Sequence, residues 1–176
     1  MQILRYVAAT LLILLTSFAS AQQSGSYVLG AGDRIAISVF GQMDLSMEFT
    51  LGDNGSVNYP FLGEIVIEGL TMPELEQRIT DGLQGDYLID PDVTVSITQY
   101  RLFFLNGEVD RPGGYPYQPG LTLEKALALA GGLTPRAARD KIVVKLASGS
   151  PGAEVSINMS DPIHAGDVIT VPQSFF

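Results

Sequence analysis

The chain has 176 residues, 46% of them hydrophobic and 16% charged, with 19 acidic against 10 basic residues and a formal charge of −9, which is ordinary composition for one or two globular domains. The acidic balance and the lack of any basic cluster exclude nucleic acid as a partner, because neutralising phosphate requires a Lys/Arg surface. With no cysteine in the sequence, disulfide staples, thiolate zinc sites, Fe–S clusters, Cys nucleophiles and a lipid attached through an N-terminal cysteine are excluded too.

Residues 1–21 carry one positive charge, Arg5, then the apolar run from Val7 to Leu15, then Thr16-Ser17-Phe18 and the small-residue sequence Ala19-Ser20-Ala21. The run is about half of the ~20 residues that a membrane-spanning helix needs, and Ala-x-Ala followed by Gln22 fits signal peptidase. A secretory signal peptide cleaved after Ala21 is predicted. The mature protein is then expected in the periplasm or outer envelope of a bacterium.

Beyond the spacer of residues 22–26, Arg34-Ile35-Ala36-Ile37-Ser38-Val39-Phe40 alternates, placing Ile35, Ile37 and Val39 on one face of a strand entered through a turn at Gly32-Asp33. An extended stretch over residues 47–51 meets Gly52-Asp53-Asn54-Gly55, whose Asn-Gly pair predicts a hairpin turn returning through residues 57–59. Residues 64–68 alternate again. Thr71-Met72-Pro73-Glu74 has capping-box spacing with proline in the first turn, which predicts a helix from about Met72 to Leu83. Met72, Leu75, Ile79 and Leu83 form its apolar stripe, with Glu76, Gln77 and Asp81 facing away. After Asp90-Pro91, residues 92–98 alternate and close a first unit near residue 100.

A second unit repeats the plan. Strand signals cover residues 102–105, 107–109 and 115–117, with a turn at Asp110-Arg111-Pro112-Gly113-Gly114; Gly120-Leu121-Thr122 opens a helix ending at Gly131-Gly132. Further strands are predicted over residues 141–146, 155–157 and 168–171. Two internal echoes link the halves: Gly69-Leu70-Thr71 matches Gly120-Leu121-Thr122, and Ala31-Gly32-Asp33 matches Ala165-Gly166-Asp167. Gly32, Gly55, Gly113 and Gly132 read as turn or helix-end positions and Thr71 and Thr122 as N-caps. Each unit has about 70 residues, a size that buries only about 60% of the surface its unfolded chain exposes, so substantial packing between the units and between copies of the chain is expected.

No constellation for catalysis is found. His164 is the single histidine, in the turn-like segment of residues 161–166, and no Gly-x-Ser-x-Gly elbow exists. One histidine without cysteine is a poor basis for zinc. Gly30-Ala31-Gly32 precedes a strand and lacks the third glycine of a dinucleotide fingerprint, there is no phosphate loop, and Asp53-Asn54-Gly55 lacks the remaining ligands of a calcium loop. Glu64, Glu68, Asp90 and Asp92 would have to converge to hydrolyse a glycan, and nothing indicates that they do. Tryptophan is absent, leaving Tyr59, Tyr87, Tyr100, Tyr115 and Tyr117 as possible sugar platforms. Neither a catalytic residue, a metal ligand nor a cofactor site is assigned, and the protein is read as a non-enzyme.

The stretch Tyr27-Val28-Leu29-Gly30-Ala31-Gly32-Asp33-Arg34-Ile35, with Val39-Phe40-Gly41, Gly52-Asp53-Asn54-Gly55, Tyr59-Pro60 and Gly63-Glu64-Ile65, resembles the N-terminal domain of bacterial outer-membrane polysaccharide export proteins. Phe104-Leu105-Asn106-Gly107-Glu108-Val109, Pro112-Gly113, Tyr115, Thr122-Leu123, Ala126-Leu127, Ala130-Gly131-Gly132-Leu133 and Gly166-Asp167-Val168-Ile169-Thr170-Val171-Pro172 resemble the soluble-ligand-binding β-grasp domain that follows it in that family. The expected fold class is therefore α+β, two small mixed sheet-plus-helix domains in tandem over residues 27–100 and 101–173, the second β-grasp-like.

The resemblance implies a ring-forming homo-oligomer that conducts capsular or exopolysaccharide across the envelope with an inner-membrane polysaccharide copolymerase. Larger members carry a lipidated cysteine and a C-terminal amphipathic helix, whereas this chain has no cysteine and stops at Gln173-Ser174-Phe175-Phe176. It looks like a short form, for which either a separate outer-membrane β-barrel would complete the passage or the ring would work wholly within the periplasm, and its terminal phenylalanines are expected to fray. Strand edges and loops of the first domain are expected to line the passage and the second domain to carry contacts between subunits. The alternative is a monomeric periplasmic module that binds a glycan or small ligand; a glycan hydrolase is the third.

Overall fold

The computed structural model describes residues 27–147 and 153–174. The predicted signal peptide and the Phe175-Phe176 pair lie outside the described residues.

The first unit is built around β1 (Arg34–Val39), the central strand of a three-stranded antiparallel sheet in the order β2-β1-β5. Ile35, Ile37 and Val39 are buried as the alternation predicts. β2 (Gln42–Thr50) turns back from β1 at Phe40-Gly41, and the register slips between Ile37 and Val39. The Ser46 hydroxyl fills that bulge, accepting the Val39 N–H at 3.0 Å and donating to the Gln42 carbonyl at 2.9 Å. β5 (Val93–Gln99) flanks β1 on the other side.

The Asn-Gly turn does not make the predicted hairpin. Gly55 N–H does close a turn onto the Gly52 carbonyl, but the chain then leaves the first sheet: β3 (Ser56–Tyr59) pairs with β4 (Gly63–Val66) in a separate ribbon. The reason lies outside the turn. The Gly55 carbonyl accepts the N–H groups of Ile67 and Glu68 at 2.8 and 2.9 Å, so the backbone acceptor after the turn is committed to the segment beyond β4.

α1 (Met72–Leu83) has the predicted bounds. The Glu74 carboxylate takes the Thr71 backbone N–H at 2.7 Å and the Thr71 hydroxyl at 2.8 Å, and these bonds to its charged form hold its pKa below the usual carboxylate range. Leu75, Ile79 and Leu83 are fully buried against the first sheet, each contributing about 1.5–3 kcal/mol of apolar transfer. Glu76, expected to face away, instead reaches the edge of β5 and accepts the Val95 N–H at 2.8 Å.

The second unit is a five-stranded sheet in the order β7-β6-β10-β8-β9, from β6 (Leu102–Gly107), β7 (Gly113–Pro116), β8 (Val143–Lys145), β9 (Glu154–Ser156) and β10 (Val168–Val171). β6 and β10 are parallel neighbours at its centre, all other pairs antiparallel, and α2 (Leu123–Leu129) packs Leu123, Ala126 and Leu127 on it, the β-grasp arrangement. The tandem α+β expectation holds. β6 stops at Gly107 rather than running to Val109, and a 3₁₀ turn at Arg139–Lys141 replaces the start of the strand expected from residue 141. Gly107 adopts φ +86°, and a side chain there would drive its Cβ into the Val171 carbonyl oxygen of the parallel partner strand.

Two outcomes follow from these contacts. Gly107→Ala combines a left-handed backbone with a collision against main chain, and should lower the urea unfolding free energy by about 2–4 kcal/mol. Glu74→Gln should lower the melting temperature at pH 7. Because the folded pKa of Glu74 is depressed, its contribution is present above the unfolded pKa and is lost as pH falls through the folded one, so wild type and variant should converge in acid in parallel thermal melts.

Candidate functional site: a carboxylate junction and an apolar tip

The Ala-Gly-Asp turn before β1 holds a wholly buried carboxylate, Asp33. Its Oδ2 accepts the Gly30 N–H and the Arg101 Nη1 at 2.9 Å each; its Oδ1 accepts the Tyr27 hydroxyl and the Arg101 backbone N–H at 2.7 Å each. Arg101 is the residue that joins β5 to β6, so the first unit's carboxylate grips the start of the second. The same guanidinium donates to the Val28 carbonyl at 3.3 Å and, through Nε, to the Ala165 carbonyl of the second unit at 3.2 Å, and lies 5.4 Å from the Tyr27 ring centre. Tyr27, Tyr100 and Tyr117 pack around it with ring centres 4.9 to 6.2 Å apart. Burial, reinforced by the bond to Asp33, pushes the Tyr27 hydroxyl pKa far up, so it stays a donor.

The second Ala-Gly-Asp turn repeats this geometry. Asp167 is buried, its Oδ2 accepts the His164 N–H at 2.8 Å as Asp33 accepts that of Gly30, and its Oδ1 accepts the Ala147 N–H at 3.0 Å. The internal echo in the sequence is thus a shared device: a glycine with φ near +90°, then a buried aspartate that ties down its own turn and a distant strand end. Reading Gly32-Asp33 only as a turn missed the aspartate's reach to Arg101. The available signal was an aspartate placed twice, in the same tripeptide, immediately before an apolar strand.

The far end of the first unit is different. Val39 is paired with Gln42 and Val93, so the β1–β2 turn and the start of β5 share the end of the sheet opposite the Asp33 junction. Residues 84–92 connect α1 to β5 there, placing Tyr87 against Phe61 of the β3–β4 turn, ring centres 4.9 Å apart, and delivering the Asp92 carbonyl to the Phe40 N–H at 2.9 Å. Five large apolar side chains stand in solvent at this tip: Ile89 (94% exposed), Met43 (91%), Phe40 (85%), Phe61 (64%) and Tyr87 (46%). Along α1, two open hollows of about 350 and 400 Å³ flank Arg78, one bordered by Leu62, Glu64 and Val66 and the other by Glu74, Gln77 and Asp81.

The other residues singled out from the sequence are dispersed. Glu64 accepts the Ser56 hydroxyl at 2.6 Å on the β3–β4 ribbon, the Glu68 side chain lies over Gly55, and Asp90 and Asp92 belong to the tip loop. His164 is mostly exposed, its Nδ1 3.6 Å from Asp167. Tyr59 is buried and donates to the Leu45 carbonyl at 2.7 Å; Tyr115 stacks on Phe103. Of the five tyrosines, Tyr87 is the one presented at the tip. Among the described residues no group of three or more metal-ligating side chains could hold a metal ion, and no helix is long and apolar enough to cross a membrane.

The junction generates a graded expectation. Asp33→Ala strands four donors, one of them cationic, and should cost about 3–5 kcal/mol in equilibrium unfolding. Arg101→Ala leaves the carboxylate its Tyr27, Gly30 and Arg101 main-chain donors and should cost less, with strong coupling between the two in a double-mutant cycle.

Comparison with known proteins covers both units. Residues 21–98 match the family of polysaccharide biosynthesis/export proteins, and residues 102–154 match the SLBB domain. The chain is 35% identical over 165 residues to the exopolysaccharide production protein ExoF of Rhizobium meliloti, an alignment covering 84% of this chain and 38% of that protein. It is 27% identical over 156 residues to the EPS I polysaccharide export outer membrane protein EpsA of Ralstonia nicotianae, covering 81% and 40% respectively. The chain thus spans about two-fifths of the length of these relatives. With an export-family unit and an SLBB unit following one another through the Asp33–Arg101 junction, the chain belongs to the polysaccharide export family.

Proposed function

We propose that this protein is a ring-forming component of the bacterial envelope that conducts exopolysaccharide or capsular polysaccharide across the periplasm and outer membrane, without catalysing a reaction. The observation that carries the reading is the order of the two units, an export-family unit followed by an SLBB unit, shared with relatives named for exopolysaccharide production and export. The first 21 residues act as a cleaved signal peptide, and the partners are the polymer, further copies of this chain and an inner-membrane polysaccharide copolymerase.

The physical demands of a conduit support this assignment. A polymer in transit has to be held weakly at many points, because one deep well along the path would stall it. The hollows beside Arg78 offer carboxylates, an amide and a guanidinium to sugar hydroxyls with no aromatic floor. Residues 27–100 contain twelve carboxylates and two arginines, so a passage walled by the first unit has no cluster of cations to trap an acidic polymer. The second unit, with its balanced charge, carries the contacts between subunits.

Size-exclusion chromatography with light scattering on the mature protein should give a mass several times that of one chain at micromolar concentration, and deletion of the gene should abolish surface polysaccharide. A monomer whose loss only modulates the polysaccharide would overturn the conduit in favour of an accessory glycan-binding module.

A further inference from the structure

Of the five exposed apolar side chains at the tip, Phe61 and Tyr87 pack on each other and none belongs to the buried core. Three lie in or beside hairpin turns, where glycine, asparagine or aspartate is the relaxed choice, and Phe61 occupies a left-handed backbone at φ +66°, the one described non-glycine residue there. They are gathered at one end by three separate segments, the two hairpin turns and the loop of residues 84–92, and that loop touches both turns.

Charge at the tip is of one sign. Asp44, Asp86, Asp90 and Asp92 are all exposed on these same segments, which hold no lysine or arginine. The first unit's two arginines are elsewhere: Arg34 begins β1 at the junction end, and Arg78 on α1 donates to the Val66 carbonyl at 2.9 Å. A surface of aromatic, Met and Ile anchors inside an acidic rim is the composition of a protein-binding patch, in which apolar groups carry affinity and the surrounding charge selects the partner. An anionic lipid surface is repelled by the four aspartates, and a neutral one would strip them of water without compensation. A second copy of the chain is a poor match as well, since residues 101–174 balance seven basic with seven acidic groups and the first unit is acidic.

We propose that this tip is a docking surface for another protein, one that presents an apolar socket ringed by lysine and arginine. The site is independent of whether copies of the chain form a ring, since all its residues come from one first unit.

The mature full-length protein can be titrated with three synthetic probes of equal length: an amphipathic peptide with a Leu/Phe face flanked by Lys/Arg, the same peptide with Glu in place of the cations, and a Lys/Arg peptide lacking the apolar face. The first should bind with micromolar affinity that weakens with salt, and the other two at least tenfold more weakly. The double variant Met43→Ser, Ile89→Ser leaves net charge unchanged and should weaken the first peptide at least tenfold while keeping the wild-type melting temperature; Phe40→Ser serves as the second variant if that temperature falls. Undiminished binding to the folded variants would overturn the proposal, reducing it to bulk charge attraction. Co-sedimentation with phosphatidylcholine or phosphatidylglycerol vesicles that is lost in the same variants would overturn it in favour of a membrane. A drop in oligomeric mass caused by them would assign the tip to a second copy.

Discussion

A single buried carboxylate, Asp33, is the constraint around which the tandem is organised. It satisfies the turn that launches the central strand of the first sheet, a tyrosine hydroxyl from the segment entering the domain, and both the main chain and side chain of the residue that begins the second domain. Removing a carboxylate from water is costly, and four donors at 2.7–2.9 Å are what make its burial tolerable. Because one of these is the Arg101 backbone amide, the junction fixes the direction in which the chain leaves β5 as well as the charge pairing. Two units of about 70 residues, each short of a large core, are joined by a polar clasp wrapped in three tyrosine rings.

The clasp also divides the molecule chemically. On one side lies a unit with a large excess of carboxylate and exposed apolar turns at its far end; on the other lies a charge-neutral β-grasp sheet. The hydrogen bonds of Arg101 to Asp33 on one side and to the Ala165 carbonyl on the other tie these unlike halves together. The proposed polymer passage, contacts with copies and docking of a partner would then occupy separate surfaces.

What could be read in advance follows from range of interaction. α1 was legible because Thr71, Pro73, Glu74 and the Leu75–Ile79–Leu83 stripe all act within four residues of one another, and its observed bounds coincide with the expected ones. β1 was legible from alternation alone. Pairing is not local: the Asn54-Gly55 turn exists, but which strand follows it was decided by the Gly55 carbonyl bonding to Ile67 and Glu68, a dozen residues on. Asp33 was seen as a turn residue because its main partner, Arg101, lies 68 positions away. The charge segregation was present in the sequence from the start, yet acquires meaning only once the unit boundary is placed, and the tip emerges only when exposure is known. The tandem α+β organisation was thus legible almost whole, and the site hardly at all.

The bond from Glu76 to the Val95 amide has a bearing on how neighbours can be added. It occupies an outward-facing donor of β5, so a strand arriving on that flank would have to displace a carboxylate first, whereas the nine-residue β2 on the opposite flank is an edge of the sheet with no neighbouring strand among the described residues. Lateral growth of this sheet is therefore directional. Without moving Glu76, main-chain pairing through the first unit can join two copies edge to edge at β2 and goes no further, since an unbroken ladder of main-chain bonds passing from chain to chain would need two receptive flanks and finds one.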